Sequence, residues 1–254
     1  MTRIIKYSYQ TAVYAFLYAP IIIIMIFSFN DTQRSTLWQG FTWHWYQQLI
    51  MDLDLLRAAG YSLIIGVLAA TSAAILGTLT AVCLQRYRFA GRKLLKSLVF
   101  ILIIVPDIIL AVAFLMLYNS VSLPLGFWSL FLAHTSFCLP FVAVMVFSRL
   151  NSIDESLFEA AKDLGARDST ILRKVLVPLL APAIVAGWLI SFTLSIDDVM
   201  ISFFVSGPTF QILPLKIFSM ARTGVSPELN ALCSIMFVIT LLLILLAQRF
   251  IRQR

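Results

Sequence analysis

The chain alternates long apolar runs with short polar connections. Six runs stand out, at about residues 9–29, 61–84, 97–118, 125–147, 179–197 and 231–248. A helix rising 1.5 Å per residue needs about 20 mostly apolar residues to cross a bilayer's hydrocarbon core. Each run therefore predicts one transmembrane helix, and the fold class that follows is an all-α membrane protein with six spans. No polar stretch between them is long enough to fold as a separate soluble domain, so residues 1–254 read as one membrane domain. The first run follows Arg3 and Lys6, as a signal peptide would. It is long, however, and leads into Asn30-Asp31-Thr32 rather than a small-residue cleavage site, so it reads as an uncleaved anchor.

Composition excludes several classes. Hydrophobic residues make up 61% of the chain and charged residues 12%, with a mean hydropathy of +0.94. Soluble domains hold roughly 45–50% apolar and about 25% charged residues. A secreted domain, a disordered chain and an ordinary cytosolic enzyme are all excluded, and membrane lipid becomes the solvent. Cys83, Cys138 and Cys233 lie inside apolar runs without metal-ligand spacing and read as small buried hydrophobes.

The net charge of +7 resolves into a topology signal. With the N-terminus in the cytoplasm, segments 1–8, 85–96, 148–178 and 249–254 face the same side. They hold Arg3, Lys6, Arg86, Arg88, Arg92, Lys93, Lys96, Arg149, Lys162, Arg167, Arg173, Lys174, Arg249, Arg252 and Arg254, 15 of the 19 basic residues. The opposite side has Arg34, Arg57, Lys216 and Arg222. The positive-inside rule then makes both termini cytoplasmic, and the basic balance no longer argues for nucleic acid.

On the outer side, residues 30–60 carry Trp38, Phe41, Trp43, Trp45 and Tyr46, a pattern expected of an interfacial aromatic belt or a partner-docking surface. Residues 198–230 are too apolar for an ordinary loop and are broken by Gly207-Pro208 and Pro214. Such a segment is expected to fold back against the bundle, because irregular backbone at membrane depth must be buried in protein or face water.

The one large cytoplasmic loop, residues 149–178, predicts two short helices. Ser152 followed by Glu155 has the form of a capping box, and Gly165 sits where a left-handed helix end is wanted. Leu157, Ala160, Ala161 and Leu164 recur at helical spacing, with Glu159, Lys162 and Asp163 on the other sides. A second helix starts near Asp168 or Ser169 and runs to Val177, with Pro178 marking entry to the next span. Physically, this hairpin either lies on its own bundle or docks a partner, whose backbone can approach closely over the alanine pair.

Glu159-Ala160-Ala161, three residues, Gly165, nine residues and Val175-Leu176-Val177-Pro178 resemble the EAA loop of ABC importer permeases. Tyr14–Asn30, Trp38–Phe41, Ser191–Pro208, Leu213–Met220 and Gly224–Ala231 are similar to the polyamine branch of that family, the permeases of bacterial spermidine/putrescine importers. The resemblance implies a type I ABC importer permease fold in the bacterial inner membrane. It implies a coupling helix in which Glu159, Ala160, Ala161 and Gly165 meet the ATPase. It further implies a heterodimer with a PotB-like sister permease, two PotA-like ATPase subunits and a PotD-like periplasmic polyamine-binding protein. ATP and Mg would be bound by the ATPase, with no cofactor in this chain.

The sequence holds a separate clue to a cationic substrate. Asp107 follows Pro106 inside the third run, and Asp197 and Asp198 end the fifth. A carboxylate at membrane depth costs about 2.5–3.5 kcal/mol on insertion scales, so it faces a cavity or a partner. No lysine or arginine lies in the core of any run to serve as that partner. The aspartates either line a polycation pathway or serve structure, Asp197 and Asp198 as helix-end caps and Asp107 as a buried hydrogen-bonding group. Adjacent helical residues point about 100° apart, so one of the pair is expected to face the pathway, Asp198 by preference. Tyr118, Trp188, Phe203, Phe204 and Phe210 are candidate cation–π walls, with packing as the alternative. His134 is expected to make an interhelical hydrogen bond. There is no Walker A, HExxH or GxSxG motif, so ATP hydrolysis is expected on a separate subunit. The rival readings are a permease of this class for another substrate and a secondary transporter or channel. A membrane-embedded enzyme is the third.

Overall fold

In lipid, backbone N–H and C=O groups have only each other, and a single segment satisfies them as an α-helix. A computed structural model describes residues 2–32, 37–154, 156–208, 210–224 and 226–252. It is helical, with an isolated β-bridge between Asn30 and Phe41 among the described residues. The helices are α1 (Thr2–Phe27), α2 (His44–Met51), α3 (Leu53–Arg86), α4 (Arg92–Ile104), α5 (Asp107–Ser120), α6 (Phe127–Leu150), α7 (Ser156–Asp163) and α8 (Asp168–Ile171). A π-helical turn, Leu172–Leu176, joins α8 to α9 (Val177–Asp197), and α10 (Met200–Val205), α11 (Leu213–Thr223) and α12 (Pro227–Arg252) follow.

Among the described residues, four helical stretches are long and apolar enough to cross a membrane: Ile5–Phe27, Leu53–Arg86, Phe127–Leu150 and Ser169–Asp197. The third predicted run, 97–118, is not one helix. It breaks into α4 and α5, bent by 118°, and makes a fifth span only if the pair counts as one. The cause is Pro106. It forces the residue before it out of the helical region, and Val105 is extended at φ −65°, ψ 131°. Pro106 then caps a fresh helix that starts at Asp107. The last predicted run lies within α12, where Pro227–Leu242 forms a shorter apolar stretch.

The chain divides into two compact units, residues 58–215 and residues 1–57 with 216–254. In the first unit α6 and α9 make the main helix pair, α4 lies on α6, and α10 packs against α5 and α6. The fold-back expected of residues 198 onward is therefore present as α10, with Ile201, Val205 and Ile212 fully buried. Val142 of α6 sits at the centre of this unit, buried between two glycines. A Cβ on Gly187 of α9 would lie 3.1 Å from its Cα, and one on Gly77 of α3 would lie 2.8 Å from its Cβ. Small residues at helix crossings allow this closeness, which drives association where lipid supplies no hydrophobic force.

In the second unit α1 and α2 pack on α12. The aromatic stretch is more than a belt, because its rings pack on one another. Phe29 stacks on Phe41 at 5.2 Å and meets Trp43 at 4.8 Å and Tyr46 at 5.0 Å. Buried Asn30 ties the loop together. Its Nδ2 donates to Leu37 O (2.7 Å), its Oδ1 accepts from Gln39 N (2.8 Å), and its carbonyl accepts from Trp45 Nε1 (2.8 Å). Asn30→Ala strands the first two groups and is expected to cost about 1–3 kcal/mol, seen as faster proteolysis within residues 37–46. Unchanged cleavage would mean the rings hold the loop alone.

Candidate functional site

The 149–178 loop folds as two helices. The capping box expected of Ser152 and Glu155 falls outside the described residues, and at the entry to α7 Asp154 Oδ1 accepts the Ser156 N–H at 3.0 Å. The Ser156 backbone N–H, with its side chain, holds the Asp154 carboxyl below the usual carboxylate range. Ser152 Oγ turns back to Arg149 O at 2.8 Å. Glu155 lies outside the described residues, as do Arg34 and Arg254 of the charge count.

At the other end α7 closes as the glycine predicts. Gly165 has φ +77°, its N–H bonds Lys162 O (2.8 Å), and Ala166 N bonds Ala161 O (3.1 Å). This pair of bonds is the Schellman motif, which caps the last carbonyls and needs a residue at ease with φ > 0. Glu159, Ala160 and Ala161 all lie on α7. The alanine pair splits: Ala161 is half-buried against the core of its unit, while Ala160 is exposed. Beside it Leu164 is 89% exposed and Leu157 43% exposed. Helix α7 thus keeps an apolar strip that its own bundle does not cover.

The second helix begins at Asp168 as expected but does not stop at Pro178. Ser169–Asp197 runs on as a single helical stretch through the π-turn. Pro178 has no N–H for an α-type bond to Lys174 O, and a wider turn sits just before it. The hairpin is therefore continuous with α9.

The acidic residues separate. Asp107 is exposed at the start of α5, on the bend. Asp197 is exposed at the end of α9, whereas Asp198 is buried at 8% exposure. Asp198 starts α10, accepting from Ile201 N (3.1 Å), Ser202 N (2.8 Å) and Ser202 Oγ (2.8 Å). His134 of α6 stands beside it, Nε2 3.4 Å from Asp198 Oδ2 and 3.0 Å from Ser202 Oγ, with Nδ1 2.7 Å from Ser195 Oγ. The expected interhelical bond of His134 is there, and among the described residues His134 stands beside Asp198 where no lysine or arginine does. Next to it Ser129 Oγ donates to Val205 O at 2.7 Å. Asp107 shares no hydrogen bond or ion pair with Asp197 or Asp198 among the described residues.

Of the aromatic candidates Phe203 is exposed and the others are packed. Trp188 stacks on Phe192 at 5.2 Å and donates through Nε1 to Thr71 Oγ1 at 3.1 Å. Phe204 is half-buried, edge-on to exposed Phe203 at 5.7 Å. Tyr118 is buried beside Phe114, and Phe210 lies between Tyr61 and Phe127. Among the described residues no group of three or more His, Cys, Asp or Glu is placed to hold a metal ion.

Comparison with known proteins gives this arrangement a family. Residues 73–254 match the family described as binding-protein-dependent transport system inner membrane component. The chain is 51% identical to the spermidine/putrescine transport system permease protein PotC of Haemophilus influenzae, over 98% of this chain and 97% of that one. It is 49% identical to PotC of Escherichia coli strain K12 over 99% and 96%, and 41% identical to the putrescine transport system permease protein PotI of the same strain over 87% and 82%. Among solved structures it is similar in fold to a bacterial ABC transporter involved in import of the acidic polysaccharide alginate. That likeness has a TM-score of 0.76 and 17% identity, over 99% of this chain and 95% of that chain. The inward-facing MetNI methionine ABC transporter is similar at a TM-score of 0.66 and 23% identity, over 80% and 97%. The long apolar helices make the chain a multi-pass membrane protein; it belongs to the family of binding-protein-dependent transport inner membrane components, and within it to the permeases of spermidine/putrescine transport systems.

Proposed function

We propose that this chain is one permease subunit of an ATP-driven importer that carries spermidine and putrescine across the bacterial inner membrane. It spans that membrane six times with both termini in the cytoplasm. It pairs with a sister permease, receives polyamine from a periplasmic binding protein, and hydrolyses no ATP itself. ATP and Mg belong to two copies of an ATPase subunit. The observation that carries this reading is the uncovered apolar strip of α7, within a hairpin whose motif spacing fits throughout and beside relatives about 50% identical.

Glu159, Ala160, Ala161 and Gly165 form the contact with the ATPase. Closure of the ATPase pair moves α7, and because α8 runs without a break into α9, the displacement passes along α9 to its outer end. There Asp197 is open to an ammonium group, with buried Asp198 next to it in the α9–α10 connection, and Asp107 offers a second carboxylate at the α4–α5 bend. Trp188 and Phe204 supply ring faces along the way. Separate carboxylates suit a long polycation better than one deep site, since each holds one amine weakly enough for release.

The test is uptake of radiolabelled spermidine into proteoliposomes holding the full complex, with binding protein outside. ATP-dependent uptake is expected, falling in Glu159→Lys to the level seen without ATP while all subunits still co-purify. A complex that hydrolyses ATP yet takes up no polyamine would overturn the substrate, and normal uptake in Glu159→Lys would overturn the coupling role.

A further inference from the structure

We propose that the connection between α3 and α4 is a binding site for an anionic phospholipid, with the headgroup held by Arg88, Arg92, Lys93 and Lys96. These four cations line one concavity of about 670 Å³ together with Phe89 and Leu94. Gly91, at φ +91°, turns the chain so that Arg88 and the first turn of α4 face the same space. What sets this cluster apart from an ordinary basic loop is how its charges are held. Arg92 Nε donates to the Leu84 carbonyl at 2.8 Å, and Lys96 Nζ lies 5.2 Å from the centre of the Phe147 ring. A carbonyl and a ring face fix the two side chains but neutralise neither. No acidic residue occurs anywhere between Asp54 and Asp107. Among the described residues none of the four is in an ion pair, so the cluster is an ordered set of positive charges without a carboxylate in contact.

The same helix indicates which anion. Above the cations α4 exposes Leu94 (65%), Leu98 (46%) and Ile101 (50%), one apolar stripe at helical spacing. Acyl chains against this stripe bring their phosphate down to the basic concavity, with Tyr87 and Phe89 exposed at the boundary. A soluble phosphate would use the cations and leave the stripe bare. A lipid phosphate uses both, in the way basic pockets at the cytoplasmic ends of spans take anionic headgroups. The inference rests on the proposed orientation only for the leaflet involved, and not at all on the transported substrate.

The test is lipid retention by the purified complex, read by native mass spectrometry after incubation with phosphatidylglycerol or phosphatidylethanolamine. The complex is expected to keep phosphatidylglycerol preferentially. Arg88→Gln with Lys93→Gln, both exposed, is expected to keep about 30-fold less of it, given about 1 kcal/mol of attraction lost per residue. The charge-preserving swap Arg88→Lys with Lys93→Arg should retain the lipid, which separates loss of charge from loss of fold. Arg173→Gln with Lys174→Gln removes equal charge elsewhere and should retain it too. Equal loss in both glutamine pairs would overturn the site, as a general charge effect. Displacement of the lipid by inorganic phosphate would overturn its source. Loss of the ATPase subunit with lipid retention unchanged would hand the cluster to a protein contact.

Discussion

Asp198→Ala is expected to fail in folding before it fails in transport. The substitution leaves the Ile201 and Ser202 N–H groups at the start of α10 without their acceptor and His134 without its charged neighbour. Leaving two buried N–H donors unsatisfied costs about 1–3 kcal/mol each, which for a chain of this size lowers the melting temperature by roughly 10 °C. Asp198→Asn is the more informative change. It keeps one oxygen for the backbone donors but gives up the charge, and is expected to cost about 1–3 kcal/mol. Melting of the purified complex and spermidine uptake should then fall together. Uptake lost with melting unchanged would move Asp198 from the role of lock to that of polyamine ligand.

The second large effect is expected at Gly77. A Cβ there would stand 2.8 Å from Val142 Cβ, 2.9 Å from Leu139 O and 3.1 Å from Ala143 N. Two of those three atoms are helix backbone, so the neighbours cannot turn aside as a flexible side chain would. Gly77→Ala must push α3 away from α6 at about 1–3 kcal/mol, and Gly77→Leu is expected to prevent accumulation in the membrane. Val142→Ala should give no rescue, because the collision is with Val142's Cβ and the α6 backbone. Gly60, in the same helix, has nothing within 4 Å of an added Cβ. Gly60→Ala is therefore expected to stabilise by about 0.5–1 kcal/mol through helix propensity. Equal melting temperatures for the two alanine variants would show that α3 and α6 do not pack as described.

The elements that local chemistry decides were legible in the chain. Helix α7 is an instance: its length, its glycine end and the strip of Leu157, Ala160 and Leu164 all follow from spacing. Its entry was less legible, because Ser152 and Asp154 are both competent caps and only the folded backbone shows that an Asp154 oxygen reaches the Ser156 N–H. The break at Pro106 was half legible. A proline in an apolar run announces a disturbed helix, but whether the helix kinks or turns through 118° depends on what it packs against. The His134–Asp198 pair was the least legible feature. The two residues are 64 positions apart, and nothing local says that α6 and the start of α10 meet. The same holds for Asn30, whose partners Leu37 and Gln39 become visible only once the loop closes.

The bend at Pro106 also bears on the order in which the chain can settle during synthesis. At 1.5 Å per residue, the 13 residues of α4 and the 14 of α5 each extend about 20 Å, short of a hydrocarbon core about 30 Å thick. Neither half is a competent stop-transfer segment by itself. Helix α4 finds its neighbour soon after, in α6, but α5 packs against α10, which begins at Met200, 80 residues beyond the end of α5 at Ser120. While those residues are being made, α5 has no final place. The face that α5 turns to α10 therefore stays open until the chain past Asp198 arrives.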